Sequence, residues 1–139
     1  MAGYSSTPLA KKLGIKPGAR LALDDAPAGW SVPELPEGVK QAAATEPADV
    51  VVAFFREAAE LPRRLPQLAG RIFPAGSLWV AWPRRAGGHE SDITENGVRD
   101  HALPLGIVDV KVAALDDDWS GLKLMWRREL RSAPPDPTA

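Results

Sequence analysis

The sequence predicts an α/β fold: a single Rossmann-like, three-layer domain on a mostly parallel sheet of about six strands that ends in an antiparallel hairpin. Three observations predict it. Residues 50–55, Val-Val-Val-Ala-Phe-Phe, are apolar at consecutive positions, the pattern of a parallel strand covered on both faces. The following stretch spaces Leu61, Leu65, Leu68 and Ile72 as one helical stripe and leads to a second apolar run at 78–82. Strand, helix and strand thus succeed one another as a right-handed crossover unit. The last third alternates instead: Val108, Val110 and Val112 are interleaved with Asp109 and Lys111, the stretch 116–121 is turn chemistry, and 122–129 returns as a partner.

The elements read in order. Residues 7–14 form a short helix, with Thr7 as cap, Pro8 at the first helical position and Gly14 as the left-handed stop. Pro17-Gly18 turns the chain into a first strand at 19–25. A loop with room for one helical turn passes Trp30 and Leu35, and 38–44 is a weak second strand. The third strand is the apolar run at 48–55. In the helix after it, Pro62 suits a start, whereas Pro66 removes a backbone donor and is expected to kink the first turn. The fourth strand ends at Pro83. A helix over 91–106 has Asp92 as its cap and Glu95 as reciprocal partner, Val98, Ala102 and Leu105 on one face, and Pro104 at its end. The alternating strand at 107–115 has one wet face and belongs at an edge.

Composition bounds the rest. The 139 residues suit one domain over 1–128, with 1–6 as an N-terminal arm and the Pro-rich 129–139 as a disordered tail with nothing to bury. A net charge of −1 implies no strong attraction to nucleic acid or to an anionic membrane. The absence of Cys excludes disulfides and thiolate chemistry, and two His, His89 and His101, are too few for a His-based metal cluster, so no metal is expected. No apolar run has the length of a signal peptide core or a membrane span, which points to the cytoplasm.

Several unusual strings follow one another in this chain: residues 3–18 (GYSSTPLAKKLGIKPG), 78–88 (LWVAWPRRAGG), 91–112 (SDITENGVRDHALPLGIVDVKV) and 116–124 (DDDWSGLKL). Over residues 3 to 128 the sequence resembles a bacterial family known only as domain of unknown function 3052, a likeness that brings no assigned activity. More distantly, residues 16–25, 48–55 and 74–82 look like a shortened class I methyltransferase fold, which implies strand order 2-1-3-4-6-5 with one early strand–helix unit missing.

In an open α/β sheet, ligands bind beyond the carboxyl ends of the strands where strand order reverses, here between the first and third strands. The candidates there are Asp24, Asp25, Gly29 and Trp30 after the first strand, Phe55 and Arg56 after the third, and Trp82, Arg84 and Arg85 after the fourth. The loop at 24–29 lacks the glycines that let a backbone approach a cofactor; Pro27 removes a donor, and two aspartates repel phosphate. Asp24 and Asp25 then serve to cap the loop. Glu46 is a poor match for the acidic ribose-binding residue that the methyltransferase likeness implies after the second strand. Arg84 and Arg85 can fork onto a carboxylate or phosphate, or be simply solvated. His89, Ser91 and Asp92 are a poor triad, being adjacent with no strained turn to present the serine. His101 reads as a helix-end or exposed residue. Of the five Trp, Trp79 and Trp82 point to opposite faces, Trp126 covers the sheet, and Trp30 and Trp119 pack in turns, over the crevice or against a partner.

The expectation is a non-catalytic ligand-binding or protein-interaction module for a small anionic ligand or a protein partner, without a cofactor. A second reading is a small methyltransferase with an atypical loop for S-adenosylmethionine (SAM). A third is weak RNA or nucleotide binding through Arg84, Arg85, Arg127 and Arg128, disfavoured by the charge balance.

Overall fold

The computed structural model describes residues 7–132. Its strands are β1 (Arg20–Asp24), β2 (Lys40–Gln41), β3 (Val50–Phe54), β4 (Ser77–Pro83), β5 (Ile107–Ala114) and β6 (Trp119–Trp126). Its α-helices are α1 (Leu9–Leu13), α2 (Glu60–Arg71) and α3 (Glu95–Ala102). The six strands form one sheet in the order β2-β1-β3-β4-β6-β5, the order implied by the methyltransferase likeness. β1 to β4 pair in parallel; β6 returns antiparallel to β4, and β5 antiparallel to β6 at the edge.

β3 is the central strand because every one of its side chains finds an apolar partner, whichever face it points to. Val51, Ala53 and the following Phe55 face α2 and α3, and meet Leu61, Leu65, Leu68, Val98 and Ala102. Val50, Val52 and Phe54 face the other side, which α1 and the loop around Val32 cover through Ala10, Leu13 and Ile15. Trp79 and Trp82 fall into different cores, as their odd spacing demands. The Trp79 indole donates to the Leu13 carbonyl at 3.1 Å and so ties the end of α1 to the sheet. Trp126 donates to the Ala69 carbonyl at 2.8 Å and covers α2.

Local expectations are corrected in places. Pro8, one residue after Thr7, is the cap of α1; Gly14 is its left-handed stop at φ 79°. No helical turn forms around Trp30 and Leu35, and β2 keeps only two residues. Pro66 lies inside α2, and both it and Pro62 fall on the exposed face of the helix. The cap of α3 is Thr94, whose Oγ1 accepts from the Gly97 amide at 3.0 Å; Asp92 is drawn away to the Ala58 amide at 2.8 Å. α3 stops at Ala102, and Leu103–Leu105 tightens into a 3-10 turn around Pro104.

The alternation in β5 does predict an edge, but not which residues it buries. A bulge between Asp109 and Lys111 breaks the register, and Val110 and Val112 are 50% and 49% exposed. The fold also continues past residue 128. Arg128–Leu130 makes a 3-10 turn, and Arg131 Nε donates to the Trp126 carbonyl at 2.8 Å. The arm at 1–6 and the tail from 133 lie outside the described residues.

Candidate functional site

The point of strand reversal lies between β1 and β3, and two arginines latch it. β1 ends at Asp24, and Asp25 turns the chain in the left-handed region at φ 58°. Arg56 Nη1 donates to both the carbonyl and the carboxylate of Asp25, at 2.7 and 2.9 Å. Arg64, one helical turn into α2, reaches back over the end of β3. Its Nη1 donates to the Phe54 carbonyl at 2.7 Å and to Glu60 at 2.9 Å, and its Nη2 stands 3.3 Å from Asp24. That Nη2 is shielded from solvent and makes no hydrogen bond. The guanidinium lies 4.0 Å above the Phe55 ring, a cation–π contact inside the fold. Glu60 completes the latch by accepting the amides of Arg56 and Glu57 at 2.7 and 2.8 Å. Burial pushes the Glu60 carboxyl up, but those two amides and the Arg64 charge outweigh it and hold it below the usual range.

On the opposite face the end of β3 is closed by aromatics. Trp30 and Trp119 meet Phe54 edge-on at 4.8 and 4.9 Å. The Trp30 indole donates to Asp116 Oδ2 at 2.9 Å. Asp116 Oδ1 accepts the amides of Asp118 and Trp119, each at 2.8 Å, and thereby builds the β5–β6 turn. The loop after β1 is thus bound to the hairpin turn across the strand ends. Trp30 is a wall rather than a free lid.

Beside this wall lies the candidate site, a cleft of about 440 Å³ between α1, residues 29–33, Arg84 and residues 114–117. Gly29 sits at its mouth at φ 78°, a conformation costly for other residues. The Arg84 amide donates to the Asp118 carbonyl at 2.8 Å, which fixes the strand end against the turn. A Cβ at Gly87 would overlap the Asp117 carbonyl oxygen, so Gly87 serves this close approach of the chain. The Arg84 guanidinium has no hydrogen bond or ion pair among the described residues. Lys12, also lining the cleft, donates to the Ala114 carbonyl at 3.0 Å. Trp30, Leu9 and Leu115 supply apolar wall, and Asp116 and Asp117 supply carboxylates.

The residues singled out in the sequence therefore separate. Gly29, Trp30 and Arg84 meet in the cleft. Asp24, Asp25 and Arg56 belong to the latch, and Phe55 is buried beneath Arg64. Trp82 is core. Arg85 turns away to donate to the Ser91 carbonyl at 3.0 Å. The three adjacent residues His89, Ser91 and Asp92 have three different partners: the Asp118 carboxylate, the Ile93 amide and the Ala58 amide. Glu46 accepts the Ala43 amide at 2.7 Å and stands 3.5 Å from Arg20, at the amino ends of the strands, far from any ribose at the crevice. Arg64, Glu60, Lys12 and Asp116 went unmarked in the sequence. The i,i+4 spacing of Glu60 and Arg64 was the available signal for the latch.

No family model matches the chain, and no curated protein matches it. Among solved structures it is similar to a protein of the NADB-Rossmann superfamily from Streptococcus agalactiae, with TM-score 0.52 and 12% identity over 91% of this chain and 70% of that one. It also aligns with a variant of LepI in complex with SAH and substrate analogue, with TM-score 0.46 and 13% identity over 86% of this chain and 39% of that one. The first likeness shows a Rossmann-like fold.

Proposed function

We propose that this chain is a non-catalytic binding module on a Rossmann-like fold. Its ligand is a small molecule with an anionic group and an apolar body, held in the cleft beside Trp30. One observation carries the reading: Arg84 lines the cleft with an unpaired guanidinium, whereas the other arginines at the strand ends are spent on internal partners. A guanidinium that has no internal partner keeps its fork for a carboxylate or phosphate. Trp30 and Leu115 take the apolar part, and Asp117 favours a ligand that also carries donors. His89, Ser91 and Asp92 engage three separate partners and do not assemble as a triad, which supports binding over catalysis. Membership of the uncharacterised bacterial family and a cytoplasmic setting belong to the same proposal. No helix among the described residues is long and apolar enough to cross a membrane.

The same reading has S-adenosylmethionine binding weakly. The backbone of the first loop is the cofactor's usual contact, and here the Asp25 carbonyl is engaged by Arg56. Losing one charged hydrogen bond costs roughly 1.5–3 kcal/mol, which moves a micromolar site toward the submillimolar range. Isothermal titration at a few hundred micromolar cofactor checks this; a dissociation constant below about 10 μM overturns the reading and favours an enzyme. The positive test is a thermal-shift screen of aromatic carboxylates and phosphates on the wild type and on Arg84→Ala. A ligand at a hundred times its Kd stabilises the wild type by about 2.7 kcal/mol, and the variant much less. Equal stabilisation of both returns Arg84 to a solvated role.

A further inference from the structure

We propose a second binding site, for a multiply charged phosphoryl anion, at the end of the sheet opposite the cleft, where Lys16 and Lys123 line a cavity and Lys111 stands beside Lys123 on the neighbouring strand. A cavity of about 370 Å³ opens there between the turn before β1, the first residues of β3 and β4, and the end of β6; Lys16 and Lys123 line it. Lys123 pairs with Trp79 on β4 and with Lys111 on β5, so all three side chains leave the same face of the sheet. The Lys111 ammonium lies 5.9 Å from the centre of the Trp79 ring. A Cβ at Gly14 would stand 3.6 Å from Lys123 Nζ, which places that half-buried ammonium at the last turn of α1.

None of the three ammonium groups has a hydrogen bond or carboxylate partner among the described residues. Asp49 is the carboxylate that lines the cavity, and its Oδ2 already accepts the Arg20 amide at 2.8 Å. Burial pushes the Lys123 amine down, and the Lys111 and Lys16 charges push it further. Like charges set directly opposite one another across two strands destabilise a sheet. This arrangement is therefore one that an anion relieves.

The donor set selects the anion. Three ammonium point charges with rotatable donors suit a tetrahedral, multiply charged group; the planar fork that favours a carboxylate is missing. Three cations against one engaged carboxylate leave an excess that a dianion or trianion balances and a monoanion does not. Two sources share this chemistry: a free phosphate or polyphosphate ion, and the phosphates of a nucleotide. This site is independent of the reading of the cleft.

The test is a lysine-resolved NMR titration of the full chain with pyrophosphate and, separately, with ADP, at constant ionic strength. The Lys16, Lys111 and Lys123 signals are expected to move together on one saturating isotherm, while exposed Lys11 does not. Saturation by pyrophosphate alone assigns a free ion, and tighter saturation by ADP assigns a nucleotide. Lys123→Met weakens the isotherm at least tenfold, yet without anion it melts no lower than the wild type, because a repulsion has been removed. Lys111→Gln, at an exposed position, weakens it too, with no change in melting temperature expected. Arg84→Ala leaves it unchanged, which separates this site from the cleft. Linear, unsaturated shifts shared with Lys11, or an isotherm that survives both lysine variants, overturn the proposal.

Discussion

Arg64 and Arg56 both hold the strand-reversal point, but their surroundings set different strengths. The Arg64 side chain is 13% exposed and serves the Phe54 carbonyl, Glu60 and Asp24 together. Arg56 and Asp25 are 40% and 58% exposed. Removing Arg64 leaves a shielded carbonyl and the half-buried Glu60 carboxylate without their cation, so Arg64→Met is expected to cost about 2–3 kcal/mol. Arg56→Ala is expected to cost less than about 1 kcal/mol, as exposed ion pairs do. Urea unfolding of both variants checks the order, and a larger loss at Arg56 refutes it. Protonation probes the same bonds. Glu60 is held low against its burial, and the hydrogen bond from Arg99 holds the Asp109 carboxyl low. A folded-state pKa below the unfolded value means stability that is present above the ordinary carboxylate range and lost as pH falls through the folded pKa. The urea midpoint should therefore drop between about pH 5 and pH 2, and the drop should be shallower in Asp109→Asn. An equally steep drop in that variant denies Asp109 its part. The i,i+4 spacing of Glu60 and Arg64 was a local signal left unread, whereas the partnership of Arg56 with Asp25, 31 residues away, has no local signature.

Elements show where local pattern suffices and where it is ambiguous. β3 was plain because an unbroken apolar run can be satisfied only with cover on both faces. Val51, with no exposed surface, is expected to lose several kcal/mol as Val51→Asp through an unpaired buried charge, whereas Val112→Thr on half-exposed β5 should stay within about 0.5 kcal/mol. Thermal melts decide it; an unchanged melting temperature for Val51→Asp contradicts the central placement. The sequence pointed to Asp92 as the cap of α3, but Thr94, two residues on, holds that place. Only the packing of the loop after β3 chose between them, by presenting the Ala58 amide to Asp92. In β5 the alternation was real, but a bulge shifted which side chain faced inward.

At the scale of the molecule, pairing from both sides concentrates protection in β3 and β4, while β2 and the bulged part of β5 each lie at an edge. Amide exchange should therefore be slowest in β3 and β4 and fastest in β2 and around Val110; the reverse ranking contradicts the strand order. By itself the sequence determined the α/β class, the central strand, the hairpin and the edge, because each follows from periodicity and turn chemistry within about ten to twenty residues. It also singled out a few candidate residues after three strands at one end of the sheet. Which of them line the cleft was decided only in three dimensions. Arg84 and Arg85 are chemically identical neighbours, yet Arg84 lines the cleft, while Arg85, at the start of a 3-10 turn, donates to the Ser91 carbonyl. Asp24, Asp25 and Arg56 resembled ligand contacts until α2 supplied Arg64 and the turn brought charge to charge. A charged side chain acts on a ligand only when no internal partner has claimed it, and those partners lie across the sheet, beyond the reach of any local pattern.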